Sequence, residues 1–86
     1  MILRKKLIAV PKELINDERL TNGERFLYIV LAAISDGESV NFKWSDVAKI
    51  MGRTISTTRK YMKRLLMEGW CSFSDEEGYM LNSEKK

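Results

Sequence analysis

The sequence predicts a small α+β domain, mainly helical, with one β-hairpin near its C-terminus. Three observations predict it. Apolar residues recur at helical spacing behind polar capping residues, first after Thr21 and again after Thr54. Two short helical segments meet at Gly52. After Gly69, two short segments rich in aromatic and apolar residues flank the polar turn Ser74-Asp75-Glu76-Glu77-Gly78. The 86 residues amount to a single domain, read as 1–86. Hydrophobic residues at 44% against 31% charged are the balance of a folded chain, not a disordered tail.

The elements follow in order. Leu7 to Val10 is apolar and partly β-branched, so residues 1–10 read as a short strand or extended arm. Pro11 suits the first turn of a helix through Asn16. Thr21 and Glu24 have the spacing of a capping box, which opens a long helix to Ile34. Its apolar stripe is Phe26, Leu27, Ile29, Val30, Ala33 and Ile34, and it is apolar around most of its circumference. It is therefore expected to be the central core helix. Gly37 is the expected left-handed stop. Ser39 to Phe42, with Val40 and Phe42 at period two, reads as a small strand.

Ser45 is the expected N-cap of the next helix, with Asp46 favourable in its first turn. Val47, Ile50 and Met51 are expected to face inward. Gly52 breaks that helix, and Thr54 caps the next, Ile55 to Glu68. Gly69 lies just beyond its end. Trp70 to Phe73 and Tyr79 to Leu81 form the hairpin within residues 70–82, and residues 83–86 form a polar tail.

Composition narrows the function. The absence of histidine removes Ser-His-Asp triads, Cys-His pairs and His-ligated metals. The single cysteine, Cys71, cannot form an internal disulfide or a cysteine-rich zinc site, and it reads as a small, partly buried strand residue. No nucleophile–base pair, phosphate loop or metal cluster is visible. An enzyme is not expected, nor a cofactor, nor a metal. The apolar run ending at Ile34 is far short of a membrane span, and a cytoplasmic, nucleoid-associated protein is the expectation.

Charge is unevenly distributed. The chain carries +3 overall. From Val47 to Met67 there are six basic residues and no acid: Lys49, Arg53, Arg59, Lys60, Lys63 and Arg64. The other 65 residues hold nine basic against twelve acidic residues, or −3. Such asymmetry points to a localised anionic partner.

Two helices joined by a Gly-containing turn, the second of them basic, describe a helix-turn-helix over residues 45–69. Ala48 is small where the second helix must cross, and Gly52 stands four residues later in the turn. Val47, Met51 and Tyr61 would lock the two helices. Arg53 and Thr58 depart from the usual pattern, which is more often aliphatic there. A helix-turn-helix followed by a hairpin is a winged helix-turn-helix.

The stretch Ala48-Lys-Ile-Met-Gly-Arg-Thr-Ile-Ser-Thr-Thr-Arg-Lys-Tyr-Met-Lys-Arg-Leu-Leu-Met-Glu-Gly-Trp70 resembles that part of bacterial winged-helix DNA-binding domains. The leading Val10-Pro-Lys-Glu-Leu-Ile-Asn-Asp-Glu-Arg-Leu-Thr-Asn-Gly-Glu-Arg-Phe-Leu-Tyr28 is similar to the opening of the winged-helix N-terminal domains of Gram-positive plasmid and phage replication initiators. The resemblance implies a recognition helix over residues 55–68. It also implies sequence-specific binding of double-stranded DNA in transcription control or mobile-element replication.

The residue pattern agrees with that implication. The inward stripe of the second helix is Thr58, Tyr61, Met62, Leu65 and Leu66. The outward surface carries Ser56, Thr57, Arg59, Lys60, Lys63 and Arg64. Ser56, Thr57 and Lys60 are candidates for base edges, while Arg53, Arg59, Lys63 and Arg64 are candidates for phosphates. Neutralising about four phosphates gives a log–log salt slope of roughly −3.6.

Arg4, Lys5 and Lys6 either extend this contact as an arm or only solubilise the apolar strand beside them. Trp44 and Trp70 are expected as core or rim aromatics, and Met51, Met62 and Met67 as core. The wing tip Asp75-Glu76-Glu77 would be repelled by phosphate, so it is expected in solvent or against another protein. A homodimer through the N-terminal segment or the long helix is open to this chain. The alternative function is a protein–protein interaction module that uses the acidic wing or the long helix, with weak or no DNA binding.

Overall fold

The structure is a computed structural model that describes residues 10–35 and 39–82. The elements run α1 (Lys12–Ile15), α2 (Asn22–Ile34), β1 (Ser39–Val40), α3 (Trp44–Met51), α4 (Ile55–Met67), β2 (Cys71–Ser74) and β3 (Gly78–Leu81). The expected N-terminal strand or arm, apart from Val10, lies outside the described residues. So do Arg4, Lys5, Lys6, Gly37 and the tail 83–86.

The capping box at Thr21 is complete. Thr21 Oγ1 accepts from the Glu24 N–H at 3.2 Å, and Glu24 Oε1 accepts from the Thr21 N–H at 2.8 Å. The helix it starts is the core helix, but its inward face differs from the expected stripe. Leu27, Tyr28, Val30, Leu31 and Ala32 are buried, whereas Phe26 is 45% exposed and Ile34 is exposed. Ile29 and Ala33 are half-buried. At about 100° per residue, Phe26, Ile29 and Ala33 share one side of the helix. Leu27, Tyr28 and Leu31 lie on the opposite side, with Val30 at its border, and α2 packs on α3, α4 and the sheet. A helix apolar nearly all round does not reveal which side its neighbours take.

The third helix starts earlier than expected. Its N-cap is Lys43, not Ser45, and the Lys43 carbonyl accepts from the N–H groups of Asp46 and Val47. No side chain caps it. Ile50 is 56% exposed rather than inward. Val47, Ala48 and Met51 define the buried arc, and Ile50 projects roughly 110° from its centre. Gly52 adopts φ +69°, which an L side chain rarely adopts, and its N–H closes on the Lys49 carbonyl. The backbone then reaches Thr54, whose Oγ1 accepts from the Thr57 N–H at 3.1 Å and caps α4.

The hairpin is longer in partners than expected. β3 pairs antiparallel with β2 and also with β1, so the sheet has the order β1-β3-β2. In register, Cys71 faces Leu81, Phe73 faces Tyr79, and Val40 faces Tyr79. Paired residues share a face. Cys71, Leu81 and Val40 therefore close the core from below, and Tyr79 and Phe73 continue that face outward. The base of the hairpin is tied to α2, because the Tyr28 hydroxyl donates to the Asn82 carbonyl at 2.8 Å. Asn82 Nδ2 donates in turn to the Gly69 carbonyl at 2.8 Å. Helix, strand, two further helices and a terminal antiparallel hairpin are a layout compatible with a winged helix.

Trp70 is core, 1% exposed, with its ring edge-on to Tyr28 at 6.3 Å. Trp44 is at the rim. Met51 and Met62 are core as expected, but Met67 is 68% exposed at the end of α4.

Candidate nucleic-acid interface

α4 packs on α2 and α3 through Thr58, Met62 and Leu65, all buried, with Tyr61 and Leu66 half-buried beside them. Thr58 is one of the two departures from the usual helix-turn-helix pattern, and the structure accounts for it. Its hydroxyl donates to the Thr54 carbonyl at 2.8 Å, so the buried oxygen is satisfied within its own helix. Arg53, the other departure, stands exposed in the turn.

The opposite side of α4 sorts the candidate residues into three groups. At about 100° per residue, Ser56, Lys60 and Lys63 lie along the middle of the outward surface, with Met67 at its end. Each is exposed. This stripe points directly away from the core.

Arg59 lies on the flank that faces the sheet. Its guanidinium carbon sits 5.4 Å from the centroid of the Trp44 ring, within cation–π range. Trp44, expected as a core or rim aromatic where strand and hairpin meet the helices, stands there in an aromatic cluster. It meets Phe42 edge-on at 4.9 Å and Tyr79 edge-on at 5.9 Å. Tyr79 meets Phe42 at 5.6 Å and Phe73 at 4.8 Å. The Phe42-x-Trp44 spacing was its one local signal. The contribution of Tyr79 depends on a strand pairing between residues far apart in sequence.

Thr57 and Arg64 lie on the other flank. The Thr57 hydroxyl accepts from Thr54 Oγ1 at 3.0 Å, and the residue is half-buried. Arg64 is engaged by two acids: its Nε is 4.0 Å from Glu24 and its Nη1 3.5 Å from Glu68. Glu68 also pairs with Arg19 at 2.9 Å, and Arg19 with Asp17 at 3.1 Å. The i,i+4 spacing of Arg64 and Glu68 was the visible sign of this pairing. A phosphate at Arg64 would compete with carboxylates already in place.

Among the described residues, Asp17 and Cys71 are perturbed. Asp17 lies below its ordinary 3.8, chiefly because Trp70 Nε1 donates to its carboxylate, with Arg19 adding to the effect and burial opposing it. That Trp70 bond is 2.9 Å long. Burial pushes the Cys71 thiol up to about 12, so it stays a protonated core thiol with no nucleophilic character at neutral pH.

The hairpin tip Asp75-Glu76-Glu77 is exposed, and Ser74 Oγ accepts from the Glu77 N–H to close the turn. A scan against protein-family models and searches of curated proteins and solved structures return no match for this chain.

Proposed function

We propose that this domain binds double-stranded DNA sequence-specifically as a winged helix, with α4 in the major groove, in transcription control or plasmid or phage replication. The observation that carries the reading is the stripe Ser56, Lys60 and Lys63. These residues stand side by side on the outward surface of a capped helix, within a basic segment that holds no acid. The major groove admits one such helix, whose N-terminal residues reach base edges. Ser56 and Lys60 are the base-contacting residues of this proposal. Lys63, Arg59 and Arg53 take phosphates.

Selection of bound duplexes from a random pool tests it. The expected outcome is an enriched sequence whose affinity exceeds that for random duplex and falls steeply with salt. Two-fold symmetry in that sequence would accompany a homodimer. Absence of duplex binding at low salt sinks the proposal.

A second reading is a protein-interaction module. The acidic wing tip and the exposed apolar side of α2 at Phe26 favour it. On this reading, duplex affinity stays at the random-sequence level and reversing charges on α4 changes nothing.

A further inference from the structure

We infer that Trp44 is a positioning residue for DNA binding: its indole holds the Arg59 guanidinium on the sheet-side flank of α4, ready for a phosphate. This inference rests on the DNA-binding reading above and deepens it.

An exposed arginine that must contact a phosphate loses rotamer freedom when it binds. Trp is the best aromatic partner for a cation, and the 5.4 Å separation lets the two attract. A guanidinium resting on a π-face keeps its in-plane N–H donors for a phosphate. The ordering cost is then met before DNA arrives. Trp44 can do this because it is itself held. It is the first residue of α3, and Phe42 and Tyr79 both meet it edge-on. Tyr79 is on the central strand, in register with Val40 and Phe73. The hairpin thus reaches Arg59 through ring contacts made at the Phe73–Tyr79 pair, next to its closing turn, and the acidic tip lies directly beyond that pair. The wing acts as a brace for α4 and needs no phosphate contact of its own. Arg64 is the contrast within the same helix, since its partners are carboxylates that a phosphate would have to displace.

The test has a DNA-free arm and a DNA arm on the whole chain. In the free protein, the Arg59 side-chain protons should show an upfield ring-current shift in the NMR spectrum that Trp44→Leu removes and Trp44→Phe largely keeps. Against a selected duplex, Arg59→Ala and Trp44→Leu should each weaken binding by about 3–10-fold. The double variant should be little weaker than either single one. Arg59→Ala should also make the log–log salt slope shallower by about 0.9. Trp44→Phe should recover most of the affinity, which guards against a loss due only to misfolding. Absence of the ring-current shift overturns the inference whatever the DNA result. So do Trp44→Leu binding as tightly as wild type, or losses that multiply in the double variant. Those outcomes leave the DNA-binding reading standing. Failure of the wild type to bind any duplex at low salt removes both.

Discussion

A Cβ on Gly23 would lie 2.5 Å from Cζ of Tyr61, so a side chain there forces the half-buried Tyr61 ring out of its place between α2 and α4. Glycine inside a helix costs about 0.5–1 kcal/mol relative to alanine, and Gly23→Ala should normally stabilise. Here the clash reverses the sign, and urea unfolding should show a net loss on the order of 1 kcal/mol. In a Tyr61→Leu background the same change should turn stabilising; persistence of the loss there would refute the clash. Asp17 gives a second prediction. Its lowered carboxylate stabilises the fold above 3.8, and that contribution is lost as pH falls through the lower folded value. Asp17→Ala should flatten this acid limb of the stability curve. It should also cost about 1–3 kcal/mol, because the buried Trp70 N–H loses its acceptor. Thr58 illustrates where residue-level reading stops. The sequence marked it as out of pattern, but the bond to the Thr54 carbonyl that makes it acceptable became visible only with the backbone.

At the scale of elements, what local chemistry dictates was legible. The Thr21 and Thr54 caps, the Gly52 turn and the starts of α2 and α4 all rest on residues within four positions of one another. Ser45 failed as a cap because the Lys43 carbonyl already accepts the first-turn N–H groups, so the helix starts before it. The inward side of α2 and the place of Ile50 depend on which neighbours pack where, and apolar residues all round conceal that. The pairing of β1 with β3 joins residues about forty apart, and the aromatic cluster depends on it. The hairpin tip carries its own prediction. Asp75→Asn, Glu76→Gln and Glu77→Gln together should change duplex affinity by less than about threefold if the tip stands away from the phosphates. A gain much larger than that would put the tip against the DNA.

For the whole molecule, the net charge of +3 hides its own distribution. The six basic residues between Val47 and Met67 do not form one uniform face. Arg64 is taken by Glu24 and Glu68, and Arg59 rests on Trp44. Lys60 and Lys63 are left on the central stripe with Ser56, Arg53 in the turn and Lys49 exposed on α3. The basic surface is therefore narrower than the sequence suggested, with an acid network on one flank and an aromatic brace on the other. With three to four phosphates neutralised, the log–log salt slope should lie between about −2.7 and −3.6. The most direct test is duplex affinity against salt for the wild type and for Lys60→Glu/Lys63→Glu, with circular dichroism to verify the fold. Both lysines are exposed, so the variant should stay folded and lose duplex binding. A folded variant that binds as tightly as the wild type, with an unchanged slope, would contradict the assignment of α4 as the DNA-binding helix.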